Sequence, residues 1–198
     1  AIMSWAFRPV RRTEVMEVGS SNEINVLKGL AGFFNANSAE RVLFITRRGL
    51  VASKEDRYSF IATSPDGVIC LLGSDMKYEI GILEIKTFSG ESSVGKAQSI
   101  RHTHGPLIYV NLSEALDAEA SGEVECPLQL FHEVVTEERY RYQILHHAAV
   151  YNHQTVFFVA ATRCKILFVC KVKMPRRALC GLRFSLLTIK KEFLPWCD

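Results

Sequence analysis

The sequence predicts a mixed α/β (α+β) fold in which helices flank a central mixed sheet, and three observations support that prediction. An amphipathic segment over residues 20–36 has the apolar spacing of a helix. Runs of β-branched and aromatic residues, separated by turn residues, follow from residue 42. A second helical segment over residues 136–152 precedes two further apolar runs. This order is typical of a sheet covered by helices.

The first helix is predicted at residues 20–36, where apolar residues recur every three or four positions. Ser20 or Ser21 is the expected N-cap. Glu23 falls in the first turns, where the helix dipole favours a negative charge. The residues of the predicted apolar face are Leu27, Leu30, Ala31 and Phe34.

Four strands are predicted after this helix. They are β-prone runs bounded by turn residues, with Gly73-Ser74-Asp75 as the clearest turn. The predicted strands are Val42–Thr46, Tyr58–Thr63, Gly67–Leu72 and Tyr78–Lys86.

Residues 88–136 differ in composition, because they are rich in Ser, Gly and acidic residues and hold one apolar run at Leu107–Leu112. We interpret them as an insertion within a single domain that spans residues 1–198, since a plain loop of this length is unusual in a compact domain. The insertion is also the expected contact for any protein partner.

The rest of the chain predicts a second helix at Thr136–Asn152 and then a β-hairpin. Glu137 and Glu138 suit the positive end of that helix. The hairpin strands are Thr155–Ala161 and Lys165–Val172, and residues 177–193 fit a strand or a helix equally well.

Composition excludes some classes of protein. The most apolar stretch, residues 155–172, is interrupted by Arg163 and Lys165, so it cannot cross a membrane as one helix. The six cysteines form no CxxC pair or zinc-module spacing, which predicts free thiols in a reducing compartment, the nucleus or the cytoplasm. The first residue is Ala, and we expect the chain to be part of a longer protein.

The formal net charge of +3 permits nucleic-acid binding without predicting it. Local clusters of basic residues are more informative, because such clusters can neutralise phosphates, although each could equally be ordinary solvated surface. The clusters are Arg8, Arg11 and Arg12; Arg47 and Arg48; and Lys171, Lys173, Arg176 and Arg177.

Two short segments carry the residues best suited to chemistry. Ser64-Pro65-Asp66-Gly67 precedes one predicted strand, and Glu84-Ile85-Lys86 ends another, 18 residues after Asp66. Because side chains alternate along a strand, Glu84 and Lys86 should project from the same face. Two nearby carboxylates repel each other unless a cation lies between them, and Mg²⁺ prefers oxygen ligands. A bound metal would polarise a phosphodiester and activate a coordinated water.

The pattern Pro65-Asp66 followed by Glu84-x-Lys86 resembles the PD-(D/E)XK nuclease superfamily. With Tyr142-Gln143 on a later helix it is most similar to the lambda-exonuclease or YqaJ viral-recombinase branch, over about residues 19–172 without the insertion. The resemblance implies a restriction-endonuclease-like core, a Mg²⁺ or Mn²⁺ cofactor, DNA as the partner and metal-dependent hydrolysis of DNA, with exonuclease-like action expected.

The resemblance also implies roles for individual residues. Lys86 and Gln143 would orient the attacking water and the substrate, and with Asp66 and Glu84 they form the expected catalytic set. The implied metal ligands are Glu23, Asp66, Glu84 and the backbone carbonyl of Ile85. The expected substrate-binding residues are Ser64, Tyr142, Arg47 and Arg48. The family branch often has a second Gln two positions after the first, where this chain has Leu145.

Other interpretations stay open at this point. Asp66 before Gly67 fits an ordinary turn. His146 and His147 are adjacent on a helix, point in different directions and cannot easily share an ion, so we expect His147 near the site at most and His146 to be structural. His102 and His104 are interpreted as loop residues. The chain could also be a nucleic-acid-binding or effector module that keeps the fold without turnover, or a protein-interaction scaffold. The choice between exonuclease and endonuclease and the oligomeric state are left open.

Overall fold

The computed structural model describes residues 14–54, 61–112 and 127–183. The helices are α1 (Glu14–Asn37), α2 (Glu91–His104), α3 (Pro127–Val134) and α4 (Glu138–Tyr151). The strands are β1 (Arg41–Arg47), β2 (Val51–Ala52), β3 (Ala62–Thr63), β4 (Gly67–Leu72), β5 (Tyr78–Thr87), β6 (Leu107–Asn111), β7 (Thr155–Ala161) and β8 (Ile166–Lys173). Residues 176–183 are helical as well.

Six strands form a central mixed sheet in the order β1-β4-β5-β7-β8-β6. The pairs β5–β7 and β6–β8 are parallel, and the other pairs are antiparallel. Because β1 is antiparallel to β4 and β4 to β5, the carboxyl ends of β1, β5 and β7 lie at the same edge of the sheet. A separate two-stranded sheet pairs β2 with β3.

Helices cover both faces of the central sheet, so the predicted fold class is confirmed. On one face, α1 inserts Val26, Leu30 and Phe34, four residues apart and buried, as expected for one stripe of a helix. The other face is covered by α2, α3 and α4, which bury Ala97, Phe131 and Ile144 among others. All seven residues of the central strand β7 are buried, which fits a strand packed on both faces.

Most predicted elements are confirmed, with shifted ends. The strand at Gly67–Leu72 and the β7–β8 hairpin lie where they were predicted. The cap predicted at Ser20 or Ser21 is wrong, because α1 begins at Glu14 and both serines lie within the helix. The strand predicted at Tyr58–Thr63 is short: β3 comprises only Ala62 and Thr63, and residues 58–60 lie outside the described part.

The described parts of residues 88–136, which are 88–112 and 127–136, are built into the fold. They supply α2, α3 and β6, and β6 pairs with β8 as an edge strand of the central sheet. Ile108 and Val110 of β6 are buried in the same core as α4. Whether the segment is an addition relative to related chains, and whether residues 1–198 form one domain, both stay predictions.

His102 and His104 lie in the last turn of α2, so the prediction that they are loop residues is wrong. His104 Nε2 is 3.1 Å from Glu133 Oε1 of α3. The four cysteines within the described ranges are free thiols, as predicted. Within those ranges, no helix combines the length and the apolar character that a bilayer-spanning segment needs.

We predict that Gly81→Ala destabilises the fold through overpacking. A Cβ at Gly81 in β5 would lie 2.2 Å from Cε2 of Phe157, whose ring is buried in the core. Such overpacking costs about 1–3 kcal/mol and should lower the Tm by roughly 2–10 °C. The matched control is Gly95→Ala in α2, where a Cβ meets nothing within 4 Å.

The control should raise the Tm slightly, since Ala favours a helix over Gly by about 1 kcal/mol. Thermal unfolding followed by circular dichroism measures both variants. An unchanged Tm in Gly81→Ala would contradict the packing described for β5 and β7.

Candidate active site

The candidate site lies at the sheet edge where β1 and β5 end and β4 begins. Gly67 pairs with Arg47 on one side and with Leu83 on the other. Asp66, one residue before Gly67, therefore lies beside Glu84, one residue after Leu83. The antiparallel register of β4 and β5 thus brings together two acids that are 18 positions apart in the sequence.

Asp66 lies just before β4 begins, and it extends the hydrogen bonding between β4 and β5 with its side chain as well as its backbone. Its Oδ2 accepts a hydrogen bond of 2.6 Å from the Ile85 N–H, and its own N–H donates to the Leu83 carbonyl at 3.1 Å. Pro65 has no N–H, which prevents the backbone ladder from extending further back. The carboxylate satisfies a donor that would otherwise lack a strand partner.

The electrostatic surroundings of Asp66 are unfavourable to its charge. Burial raises the pKa of Asp66 to about 7, and the negative charge of Glu84 adds to this effect. The hydrogen bond from Ile85 and the positive charge of Lys86 oppose the shift without cancelling it. A carboxyl group that is costly to ionise in the resting protein suits a functional site better than a structural one.

Glu84 and Lys86 project from the same face of β5, as the alternation of a strand predicts. Lys86 Nζ lies 2.5 Å from Glu84 Oε1, whereas Ile85 is buried against α1 on the opposite face. Lys86 Nζ also lies 5.0 Å from the centroid of the Tyr140 ring of α4. The lysine is therefore held between a carboxylate and the face of an aromatic ring, and both groups attract its ammonium.

His147 of α4 completes the surroundings of Glu84. Its Nε2 lies 2.7 Å from Glu84 Oε2, and its Nδ1 lies 2.5 Å from Thr63 Oγ1. Glu84, His147 and Thr63 are all buried. Burial by itself raises the pKa of Glu84, but the hydrogen bond from His147 and the charge of Lys86 outweigh it, so the pKa lies below its ordinary value. Glu84 is thus ionised while its neighbour Asp66 is costly to ionise.

Five of the predicted residues line one open cleft of about 490 Å³ beside this cluster. Glu23 reaches the cleft from α1, and its carboxylate lies 3.9 Å from Arg47 Nη2. Burial raises the pKa of Glu23, while the charges of Arg47 and Lys86 lower it. The predicted residues that line the cleft are Glu23, Arg47, Arg48, Ser64 and Asp66.

Two other predicted residues, Gln143 and Tyr142, lie on α4 and have different surroundings. Gln143 is exposed, one helical turn before His147 and on a neighbouring part of the same face. Tyr142 is exposed as well, and its hydroxyl donates to Glu138 Oε1 at 3.0 Å on the solvent side of the helix. Gln143 therefore stays a predicted site residue, whereas Tyr142 is exposed and contacts its own helix. Leu145, where the branch often has Gln, packs against the core.

Sequence reasoning missed the part that His147 plays. The residue was expected near the site at most, but it contacts Glu84 directly. The spacing of Gln143 and His147, four apart on one predicted helix, was the available signal. His146 lies beside it with ring centroids 6.5 Å apart, and burial lowers the pKa of His146. Gly67 is the first residue of β4, as predicted, and a Cβ there would be 2.9 Å from the Thr46 carbonyl oxygen.

A larger cavity of about 990 Å³ lies at the opposite end of the strands, but its charged groups are largely paired. Lys77 Nζ lies 3.0 Å from Asp75 Oδ2. Lys171, predicted to be part of a phosphate-neutralising cluster, lies beside this cavity. Its Nζ lies 3.1 Å from Glu40 Oε1 and also contacts Glu79 Oε2. Burial lowers the pKa of Lys171, but these two carboxylates outweigh that effect and raise it. We therefore assign the chemistry to the smaller cleft.

Asp66, which lines the cleft, and its neighbour Glu84 suit a magnesium ion held by two carboxylates. Within the described residues, no three Asp, Glu, His or Cys side chains are close enough together to hold a metal ion as a group. Proteins, however, commonly bind Mg²⁺ through one or two carboxylates, with waters and substrate phosphates as the other ligands. Asp66 and Glu84 meet that requirement, and their mutual repulsion is what a cation would relieve. Glu23 and the Ile85 carbonyl stay predicted ligands.

Comparisons with known proteins add one structural similarity. A scan against protein-family models and a search of curated proteins gave no match. Among solved structures, the chain is similar to an alkaline exonuclease from Laribacter hongkongensis, with 14% sequence identity and a TM-score of 0.37. The match covers 85% of this chain and 67% of the exonuclease chain. At this identity and TM-score the similarity does not establish a shared activity.

We predict that Asp66→Asn stabilises the metal-free protein in a pH-dependent way. The pKa of Asp66 is raised in the folded state, so the stability that its proton contributes is complete below about pH 4 and is lost as the pH rises through about 7. Asn keeps an acceptor oxygen for the Ile85 N–H and has no charge to bury. The gain should grow between pH 4 and pH 7 to at most about 4 kcal/mol and level off above.

Urea unfolding with chelator at pH 5 and pH 8 measures this gain. The control is Asp75→Asn at the exposed β4–β5 turn, where hydrogen bonds from Lys77 lower the pKa of Asp75. The control variant should gain no stability at pH 8. A loss of stability in Asp66→Asn at pH 8 would mean that the ionised carboxylate is a structural requirement.

Proposed function

We propose that the chain is a metal-dependent nuclease that hydrolyses DNA phosphodiester bonds, with the PD-(D/E)XK type of active site and exonuclease-like action. One observation carries the proposal. Strand register brings Asp66 beside Glu84 and Lys86, and burial together with the charge of Glu84 makes ionisation of Asp66 costly. This is the arrangement expected where a divalent cation and an anionic substrate bind together.

Each residue has a role that follows from its contacts. Asp66 and Glu84 would hold Mg²⁺ or Mn²⁺, which supplies polarisation of the phosphodiester and a lowered pKa for a coordinated water. Lys86, held by Glu84 and Tyr140, is mostly buried and carries its positive charge where negative charge develops on the phosphate. Gln143, one helical turn before His147 on α4, would orient the substrate or the water.

The charge at this end of the sheet supports a nucleic-acid substrate. Arg47 and Arg48 line the cleft itself. The β7–β8 turn carries Arg163 and Lys165, both exposed. Because Thr87 pairs with Ala161, this turn lies at the same edge as the acids, about 15 Å from Glu84 at ordinary strand spacing. Exposed basic groups on both sides of the acids suit contacts to successive phosphates.

A second candidate is a nucleic-acid-binding or effector module that keeps this site without turnover. One observation favours it: both oxygens of Glu84 are already engaged, one by Lys86 and one by His147. A carboxylate held in this way can act as a structural ion-pair centre, with no metal bound. DNA binding without cleavage distinguishes this candidate from the first.

We predict that the chain cleaves DNA in a metal-dependent way and that cleavage requires the cluster of Asp66, Glu84 and Lys86. Linear and circular duplex DNA are incubated with the chain in Mg²⁺, in Mn²⁺ and in chelator. Glu84→Gln and Lys86→Met should each lower the cleavage rate by at least about 100-fold, because the first removes charge that would hold the metal and the second removes the positive charge beside the reacting phosphate. Survival of the circle beside loss of the linear DNA identifies an exonuclease.

The matched controls are Asp75→Asn and Lys77→Met, an exposed acid and base at the β4–β5 turn. They change the same types of charge at the far end of the strands and should cut like the wild type. Intact DNA in every lane, with binding at low salt, would favour the second candidate.

We also predict that the β7–β8 turn contributes phosphate contacts. Arg163→Gln with Lys165→Gln should reduce the slope of log K against log salt for duplex DNA by about 2, because each contact contributes about 0.9. Binding is measured in chelator, so that the DNA stays intact. The control pair is Lys173→Gln with Arg176→Gln, also exposed but at the other end of β8. Equal slopes for the two double variants would rule out this path for the DNA.

A further inference from the structure

The two acids of the site are carried by different segments, and His147 contacts both segments. Its Nε2 lies 2.7 Å from Glu84 Oε2 of β5. Its Nδ1 lies 2.5 Å from the hydroxyl of Thr63, three residues before Asp66. One imidazole on α4 therefore joins the strand that carries Glu84 to the connection that carries Asp66.

We propose that His147 is a positioning residue for the pair of acids. It fixes the carboxylate of Glu84 in one orientation and ties residues 63–66 to α4, which would hold Asp66 and Glu84 side by side for a shared cation. This inference rests on the proposed nuclease function and adds to it a residue outside the expected catalytic set.

The direction of each hydrogen bond follows from the chemistry of the groups. An ionised carboxylate can only accept, so His147 Nε2 carries the proton that it donates to Glu84. In the neutral imidazole, Nδ1 then accepts the proton of the Thr63 hydroxyl. Thr63 thereby selects the tautomer that serves Glu84, in the way that partners of metal-bound groups commonly fix an orientation.

The consequence for Glu84 is that its two oxygens differ. Oε2 is bound by the buried His147 of α4, whereas Oε1 lies 2.5 Å from Lys86 Nζ, whose side chain is 21% exposed. Glu84 is only 3% exposed, so water cannot easily replace the imidazole. Without His147, Oε2 would be buried without a donor, and the carboxylate would rotate or take up a proton.

The attachment of α4 to the sheet does not by itself explain a polar residue at position 147. Ile144 and Ala148, on the same side of the helix, are fully buried in the core with Ile82 and Phe158. These apolar contacts hold the helix in place. The imidazole adds polar contacts to Glu84 and Thr63, which bear on the site rather than on the packing.

The test compares substitutions that keep one of the two ring nitrogens. In His147→Gln the amide nitrogen reaches the place of Nε2 and can still donate to Glu84. In His147→Asn it reaches only the place of Nδ1 and can contact Thr63 but not Glu84. His147→Ala removes both contacts, Thr63→Val removes only the hydroxyl, and His146→Ala is the control on the adjacent, half-buried ring.

Two readouts are taken on the full 198-residue chain: Mn²⁺ binding by electron paramagnetic resonance without DNA, and cleavage of linear duplex DNA. Thermal unfolding verifies that each variant is folded. We expect His147→Asn and His147→Ala to weaken Mn²⁺ binding by about 10- to 100-fold, and His147→Gln by less than about 10-fold. Thr63→Val should fall between, and His146→Ala should match the wild type.

Equal Mn²⁺ affinity for the Gln and Asn variants, or wild-type affinity for His147→Ala, would overturn the inference while leaving the nuclease proposal intact. Failure of the proposed function shows in a different arm, as a wild-type chain that neither binds Mn²⁺ nor cleaves DNA. That result would overturn both, since no cation would then remain for the acids to share.

Discussion

Burial of the Glu84 carboxylate is the constraint on which the arrangement of the site depends. A carboxylate taken out of water loses its hydration and needs compensating donors for both oxygens. Lys86 supplies one donor from the same strand, and His147 supplies the other from α4. The Glu84 carboxylate is therefore linked, through His147, to the position of α4 on the sheet and to Thr63 of β3. The core around this group is apolar, which makes each of these donors hard to replace.

Asp66 is the second acid of the site, and its surroundings shift its pKa in the opposite direction to that of Glu84. Donors surround Glu84, whereas Asp66 has one backbone donor and a charged neighbour of the same sign. Two adjacent acids with their pKa values pushed apart are a common sign of a site that does chemistry. Ionisation of Asp66 lowers the stability of the folded chain, and the apolar contacts of the core have to compensate for that loss. The ion pairs at the other end of the sheet, around Lys171, show the contrasting case in which each charge has a partner and the network serves the fold.

Much of this arrangement could be predicted from local sequence. The apolar spacing in α1, the alternation in β5 and the turn at residues 73–77 depend on neighbours within a few positions, and their pattern is visible without the fold. The same holds for Glu84 and Lys86, because two residues on one strand must share a face. The role of His147 could not be predicted in this way, since its partners lie 63 and 84 positions away and meet it only after α4 packs on the sheet. Strand β6 is a similar case, because its polar surroundings in the sequence resemble an insertion and its parallel pairing with β8 joins distant segments.

Local sequence patterns were enough to predict most of the elements and the types of group available for chemistry: two acids and a lysine at strand ends, basic residues near them, and a helix that carries Gln143 and His147. Which of these groups meet depends on how the elements pack together. Strand register placed Asp66 beside Glu84, and the docking of α4 selected His147 as the partner of Glu84 while leaving Tyr142 in solvent. The physical reason is that local periodicity fixes which way a side chain points from its own element. Contact between elements depends on how their apolar faces pack and on which buried charges must then be satisfied.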